Sequence, residues 1–142
     1  QLIASENDLK VKRLAEKMDK VFVDAPCLGL GTLRRNPDLK FRQTETGLLE
    51  ISVKQADILV AASRLVKPGG VLVYATCSIL RAENQDVVEK FLAEHTEFQI
   101  IEVNQALKGI DLALKDQRYL ELNPLTHDTD GFFACVMQRN TN

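Results

Sequence analysis

The side chains of this sequence best suited to chemistry are three cysteines and one aspartate. Cys27, Cys77 and Cys135 are widely spaced, and Asp24 stands three residues before the first of them. No two cysteines have the C-x-x-C spacing of a zinc-ligand or redox pair, so we expect no metal site. A free thiol can instead act as a nucleophile if a cation or a proton acceptor lies nearby. An odd, sparse set of cysteines also predicts free thiols in a reducing compartment, the cytoplasm.

Two predicted strands place Cys27 and Cys77 together. Residues 21–23 form a continuous apolar run that ends at Asp24, and residues 71–76 form a second run directly before Cys77. A long connection that contains a predicted helix makes such strands parallel and adjacent. Neighbouring strands lie about 4.8 Å apart. We therefore predict that both thiols face one crevice at the carboxyl edge of the sheet, where α/β proteins bind ligands. Two unrelated buried thiols are the alternative.

Apolar periodicity predicts the other elements of an α/β domain. Helical spacing covers residues 9–18, 51–66 and 83–95, strand patterns cover 98–103 and 131–138, and a Lys-Pro-Gly-Gly turn occupies 67–70. We predict loops for residues 28–46 and irregular structure for 104–130. The run at residues 21–23 is apolar throughout, so its strand is expected to be buried on both faces. Cys135 lies in the last strand and is expected to be a small buried hydrophobe.

Composition limits the class of protein. The chain has 142 residues, 45% apolar and 27% charged, which is typical of one globular domain and excludes disordered, collagen-like and disulfide-rich classes. Its apolar runs fall short of the ~20 residues of a membrane span, so no membrane partner is expected. A net charge of -2 is atypical of a free-standing nucleic-acid module. Residues 34–42 nevertheless carry four basic side chains against one acidic one, either as a solvated loop or as a binding patch.

Three segments, in order, carry a family resemblance. Residues 24–38 read D-A-P-C-L-G-L-G-T-L-R-R-N-P-D and resemble a D-A-P-C-S-G-x-G segment with an R-R-x-P-D extension. Residues 73–78 resemble Y-A-T-C-S, and Glu83-Asn84 follows where E-E-N is common. Residues 130–133 resemble a D-G-F-F segment. Together they resemble the Sun/Nop family of S-adenosylmethionine-dependent RNA cytosine-C5 methyltransferases, especially bacterial enzymes acting on small-subunit ribosomal RNA.

The resemblance implies a Rossmann-like methyltransferase fold with parallel strands, helical crossovers and a terminal antiparallel strand pair. It also implies S-adenosylmethionine as cofactor and RNA, in particular ribosomal RNA, as partner. Cys77 takes the place of the nucleophile that adds to C6 of cytosine, so that C5 can attack the methyl group. Cys27 corresponds to the second cysteine, which helps to release the methylated RNA. A cytosine attacked at C6 must be unstacked first.

Further positions receive roles from the same resemblance. Asp24 corresponds to an acid of the cofactor and base pocket, and Pro26 would hold the bend that presents Cys27. Arg34 and Arg35 become candidates for RNA phosphate contacts. They lie near Cys27 in sequence and are candidates for supplying it with positive potential.

The sequence also departs from the family pattern. Leu28 stands where a serine is common, and the glycine-rich cofactor loop expected before residue 21 is not found in this chain. We therefore expect residues 1–142 to be the C-terminal part of the catalytic domain, inactive alone, with the main RNA-binding surface on the missing part. Asp8 is a candidate for lining the adenosine pocket. A sheet without its first strands exposes an edge, so self-association of the fragment is a hypothesis.

Two other functions fit the same residues. One is a methyltransferase-like scaffold that docks RNA or the ribosome without activity. The other is a redox switch in which Cys27 and Cys77 form a reversible disulfide. His127, three residues before Asp130, is a candidate for orienting the pocket.

Overall fold

A computed structural model describes residues 9–110 and 112–141, and its centre is a sheet of five strands. The strands are β1 (Met18–Asp24), β2 (Val66–Thr76), β3 (Phe98–Ile101), β4 (Leu120–Leu122) and β5 (Phe132–Arg139). They are ordered β1-β2-β5-β3, and β4 also pairs with β5. β1 and β2 are parallel, whereas every strand that pairs with β5 is antiparallel to it. The predicted parallel pair and the predicted antiparallel end of the chain are therefore confirmed.

Within the described residues, five α-helices accompany the sheet, and the longest forms the predicted crossover. They are α1 (Leu9–Leu14), α2 (Glu45–Ser63), α3 (Gln85–Glu94), α4 (Val103–Ala106) and α5 (Pro124–His127). α2 connects β1 to β2. Thr44 is its N-cap residue, and the Thr44 side chain accepts a hydrogen bond from the Gly47 N–H. α3 connects β2 to β3. None of the helices described is long and apolar enough to cross a membrane.

The core lies between one face of the sheet and the two long helices. Leu72 and Tyr74 of β2 and Cys135 of β5 are fully buried against side chains of α2 and α3, including Leu59 and Phe91. Burying an aliphatic or aromatic side chain of this size contributes about 1.5–3 kcal/mol. Burial also raises the pKa of Cys135 to about 12, so its thiol stays neutral. The prediction that Cys135 is a core residue is confirmed.

The prediction that the first strand is buried on both faces is wrong for the described part of the chain. Val23 is buried, but Phe22, which points to the other face, is 67% exposed. Among the described strands β1 lies at the edge of the sheet, and the helix that packs on it, α2, lies on the face of Val23. The predicted first helix also ends earlier, at Leu14, because Met18 already starts β1.

Two further predictions of element bounds are wrong. α2 ends at Ser63, and β2 begins at Val66, so the predicted 67–70 turn lies inside the strand. There the pairing with β1 shifts from Met18–Val66 to Lys20–Val71, and Gly69 has the positive φ of 76° that such a kink requires. Residues 104–130, predicted as irregular, contain most of α4 and all of β4 and α5. These elements are too short to give a readable period.

Candidate active site

Cys27 and Cys77 meet at the carboxyl ends of β1 and β2. The last residues paired between the two strands are Asp24 and Ala75, and β2 continues for one more residue, Thr76, which pairs with β5. The two Sγ atoms lie 3.3 Å apart, and both thiols are free and partly buried. The predicted convergence of the two cysteines is confirmed, and it follows from the parallel pairing of their strands.

The environment of Cys27 favours its neutral thiol. Burial is the main cause, and the neighbouring Cys77 adds to it; together they raise the pKa of Cys27 to about 12. At neutral pH the Cys27 S–H group is therefore intact and is available to donate a hydrogen bond to the Cys77 sulfur.

The backbone around Cys77 is fixed from both sides by Asn84. The Thr76 hydroxyl donates to Asn84 Oδ1 at 2.5 Å, and Asn84 Nδ2 donates to the Ser78 carbonyl at 2.9 Å. The Ser78 N–H closes the ring by donating to Thr76 Oγ1 at 3.2 Å. All three of these polar side chains are buried, where such hydrogen bonds are costly to lose.

A buried carboxyl group, Glu83, joins the two cysteine-bearing loops. Its Oε1 accepts from the Leu28 N–H at 2.8 Å and from Gln55 Nε2 at 3.1 Å, and its Oε2 accepts from the Ser78 hydroxyl. Gln55 Nε2 also donates to the Pro26 carbonyl at 2.9 Å. Sequence reasoning gave neither Gln55 nor Glu83 a role. The available signals were an amide on the apolar stripe of α2 and the Glu-Asn pair after T-C-S.

The glycines of two sequence motifs cross beside Cys77. Gly31 donates its N–H to the Cys77 carbonyl at 2.9 Å, and the Gly131 N–H donates to the Gly31 carbonyl at 2.8 Å. A Cβ atom at position 31 would lie 2.1 Å from the Gly131 carbonyl oxygen. Only glycine fits at position 31. The hydrogen bonds join the three sequence motifs of Gly31, Cys77 and Gly131 in one tightly packed backbone crossing.

Arg34 and Arg35 lie near this crossing but are paired with acids. Both contact the buried Asp130: Arg35 through a short ion pair, and Arg34 through its Nε at 3.8 Å. Arg34 also pairs with Asp128 at 3.2 Å. The arginine side chains are 49% and 65% exposed, so they still offer N–H groups to solvent. Contact with RNA phosphates stays a prediction, and the acidic partners were not foreseen.

The other predicted site residues are placed as follows. Asp24 is exposed at the end of β1, and its carboxylate has no hydrogen-bond or ion-pair partner among the described residues. Pro26 lies in the turn before Cys27, where Gln55 holds its carbonyl. Asp8 lies outside the described residues.

His127 belongs to a neighbouring cavity. The cavity has a volume of about 310 Å³ and is lined by Ser78, Ile79, His127 and Phe132, among others, but not by the two cysteines. His127 Nδ1 accepts from the Asn123 N–H at 3.2 Å. Within residues 9–110 and 112–141, no group of three His, Cys, Asp or Glu side chains is placed to hold a metal ion.

The sheet, its crossover helices and the thiols at the strand ends have the arrangement of a Rossmann-like methyltransferase fold. The solved structure of NSun6 from Pyrococcus horikoshii with SFG has the same fold: the TM-score is 0.75 and the identity 27%, over 100% of this chain and 34% of that one. The family model described as 16S rRNA methyltransferase RsmB/F matches residues 2–138. The chain belongs to that family.

Curated relatives agree with this assignment. The chain is 37% identical, over 126 residues, to the probable ribosomal RNA small subunit methyltransferase B of Bacillus subtilis (strain 168). It is 32% identical, over 129 residues, to the ribosomal RNA small subunit methyltransferase F of Aliivibrio salmonicida (strain LFI1238). These matches cover 87% and 90% of this chain, but only 28% and 27% of the two relatives.

Proposed function

We propose that this chain carries the nucleophile of an enzyme that transfers a methyl group from S-adenosylmethionine to C5 of a cytosine in RNA. The RNA proposed as substrate is ribosomal RNA. The observation that carries the proposal is the pair of free thiols, 3.3 Å apart, at the ends of two adjacent parallel strands. Membership of the RsmB/F family and the names of the relatives support ribosomal RNA as the substrate.

We also propose that residues 1–142 are one part of the catalytic domain. The chain spans 28% of the B. subtilis relative and 34% of NSun6, which was solved with SFG, an analogue of S-adenosylmethionine. The glycine-rich cofactor loop would belong to the remaining length, and the isolated chain would not methylate RNA. Because free thiols are typical of a reducing compartment, we propose the cytoplasm as the location of the protein.

The residues present fit one side of a cofactor pocket. The exposed carboxylate of Asp24 has no partner among the described residues and lies at the sheet edge where α/β proteins bind ligands. It is free to accept a hydrogen bond from an amino or hydroxyl group of the cofactor or from the cytosine edge, and Asp8 is proposed for the adenosine side. When bound, S-adenosylmethionine supplies an electrophilic methyl group.

Cys77 performs the covalent step in this proposal. The Cys77 thiol gives its proton to water, the sulfur adds to C6, an S–C6 bond forms, and the electron pair of the C5–C6 double bond moves to C5, which becomes nucleophilic. After methylation, C5 gives its hydrogen to water as a proton, the double bond reforms, and the S–C6 bond breaks with its electrons returning to sulfur. Cys27, which keeps its proton at neutral pH, stabilises that departing sulfur by a hydrogen bond.

The RNA must deliver an unstacked cytosine to this edge of the sheet. Arg34 and Arg35 keep exposed guanidinium N–H groups, and contacts from them to phosphates would fix the RNA strand. The larger basic surface would lie on the remaining part of the enzyme.

The test uses the full-length protein, S-adenosylmethionine and RNA with 5-fluorocytidine at the target position, because fluorine at C5 blocks the proton loss that follows methylation. We expect a covalent protein–RNA adduct on denaturing gels, its loss in Cys77→Ala, and accumulation of bound RNA on unmodified substrate in Cys27→Ala. Cys135→Ala is the matched control, because this third thiol is buried in the core and should leave adduct formation unchanged. An adduct in Cys77→Ala, or normal turnover in Cys27→Ala, would contradict the roles. RNA binding without any wild-type adduct would favour the scaffold.

A further inference from the structure

We propose that Glu83 is the positioning residue that sets the distance between Cys77 and Cys27. The inference rests on the proposed function for its catalytic consequence, but the geometry it concerns can be measured without RNA. The two cysteines are 50 residues apart in the chain, and each is followed directly by a residue that hydrogen-bonds the same carboxyl group.

The two links to Glu83 act on different loops. Leu28, which follows Cys27, donates its backbone N–H to Oε1 at 2.8 Å. Ser78, which follows Cys77, donates its hydroxyl to Oε2. A rigid carboxyl group that accepts from both loops fixes their separation, because its two oxygens cannot move independently.

Glu83 itself cannot swing away from this position. It is fully buried and ends a single turn of 3-10 helix at Arg81–Glu83. The Glu83 N–H donates to the Leu80 carbonyl at 3.1 Å, and the Glu83 carbonyl accepts the Tyr74 hydroxyl at 2.7 Å. The core strand β2 therefore holds the backbone from which the carboxyl group reaches the two loops.

Stability alone does not account for a carboxyl group here. Its partners are a peptide N–H, an amide and a hydroxyl, and no Lys or Arg pairs with it among the described residues. Burying an ionisable group costs free energy, and an apolar side chain of similar volume is commonly more stable. The arrangement is explained by the need for two hydrogen-bonding atoms at fixed separation between the two loops.

The direct test measures how readily Cys27 and Cys77 form a disulfide in glutathione buffers. Glutathione disulfide oxidises the two thiols, two glutathione thiols are released, and the equilibrium gives the effective molarity of one thiol towards the other. We expect Glu83→Ala to lower this effective molarity at least about tenfold. We also expect it to lower kcat by up to about 10²-fold with KM for RNA unchanged, since misplacing a reacting group by about 1 Å slows the reaction by that factor. Glu83→Gln should recover most of both, because its amide can accept from Leu28 and donate to Ser78.

Controls separate positioning from folding and from the function itself. Glu89→Ala removes an exposed glutamate paired with Arg81 and should leave both readouts at wild-type values. Ser78→Ala removes the link between Glu83 and the Cys77 loop, together with the hydrogen bond that the Ser78 hydroxyl accepts from the Leu80 N–H at 3.2 Å. It carries the test where Glu83→Ala does not fold, and we expect a loss of at least about threefold in effective molarity. Unchanged effective molarity in the folded Glu83 or Ser78 variants overturns the inference. If the wild-type protein forms no RNA adduct but the Glu83 and Ser78 variants still lower the effective molarity, the positioning role of Glu83 is supported and the proposed function is refuted.

Discussion

A methyl group added at Gly31 tests whether the cysteine site depends on the backbone crossing beside it. In Gly31→Ala the new Cβ would lie 2.1 Å from the Gly131 carbonyl oxygen and 2.7 Å from the Cys77 carbonyl oxygen. Both neighbours are backbone atoms, so no side-chain rotation relieves the overlap. Real Cβ contacts essentially never fall below 3.0 Å, so the Gly131 carbonyl must retreat by about 0.9 Å and that of Cys77 by about 0.3 Å.

The magnitude follows from what this movement breaks. It stretches the hydrogen bonds from Gly31 to Cys77, now 2.9 Å, and from Gly131 to Gly31, now 2.8 Å, each contributing about 1 kcal/mol. Overpacking adds about 1–3 kcal/mol. We expect Gly31→Ala to lower the free energy of unfolding by roughly 3–5 kcal/mol when both terms act. Displacement of Cys77 by part of an ångström should slow adduct formation by about 10–10²-fold.

Two assays check this prediction. Urea unfolding followed by circular dichroism gives the stability, and single-turnover adduct formation with 5-fluorocytidine RNA gives the rate. Gly47→Ala is the matched control, because its new Cβ meets only the Thr44 hydroxyl oxygen, at 3.1 Å, in the first turn of α2. The control should stay within about 1 kcal/mol of wild type. Gly31→Ala with wild-type stability and wild-type adduct rate would refute the role of the crossing.

Two more predictions concern stability and assembly. Burial raises the pKa of Cys135 in the folded state from 9.0 to about 12. Above pH 9 the native state therefore keeps a proton that the unfolded chain loses. The contribution of this thiol to the free energy of unfolding is fully present below pH 9 and falls as the pH rises towards 12. We expect urea titrations to show that the free energy of unfolding declines by up to about 1.4 kcal/mol per pH unit because of this group, and declines less steeply in Cys135→Val. Equal slopes in the two proteins would contradict the prediction. The 142-residue chain should self-associate through the open edge of β1, and Phe22→Lys should reduce the association in sedimentation velocity. A monodisperse wild-type monomer would exclude it.

The parts of the fold that the sequence predicts are those carried by local apolar runs. Residues 21–23 and 71–76, and all but the first of residues 131–138, lie within observed strands, because a continuous apolar run flanked by turns has few alternatives. The meeting of Cys27 and Cys77 is also predictable. It requires only that two parallel strands be neighbours, and the long crossover between them provides that condition.

The parts that local patterns miss depend on partners distant in the chain. The exposure of Phe22 depends on what packs over the second face of β1, which a three-residue run cannot report. The pairing of Arg35 with Asp130 joins residues that are 95 positions apart, and charge clustering around residue 35 indicated only a solvated or RNA-binding loop. Such contacts are properties of the folded chain, and single-sequence periodicity does not contain them.

The polar residues buried behind the cysteines are the clearest case of this difference. Gln55 occupies an apolar position of α2 and is fully buried, yet its Oε1 has no partner among the described residues. A core optimised for stability alone would carry an apolar side chain there, since a buried amide oxygen without a partner costs about 1–3 kcal/mol. Its Nε2 instead bridges the Pro26 carbonyl and Glu83, at 2.9 and 3.1 Å. Local rules of sequence fail most often where a fold maintains a functional arrangement. This departure therefore argues independently that the two cysteine loops are held in place for chemistry.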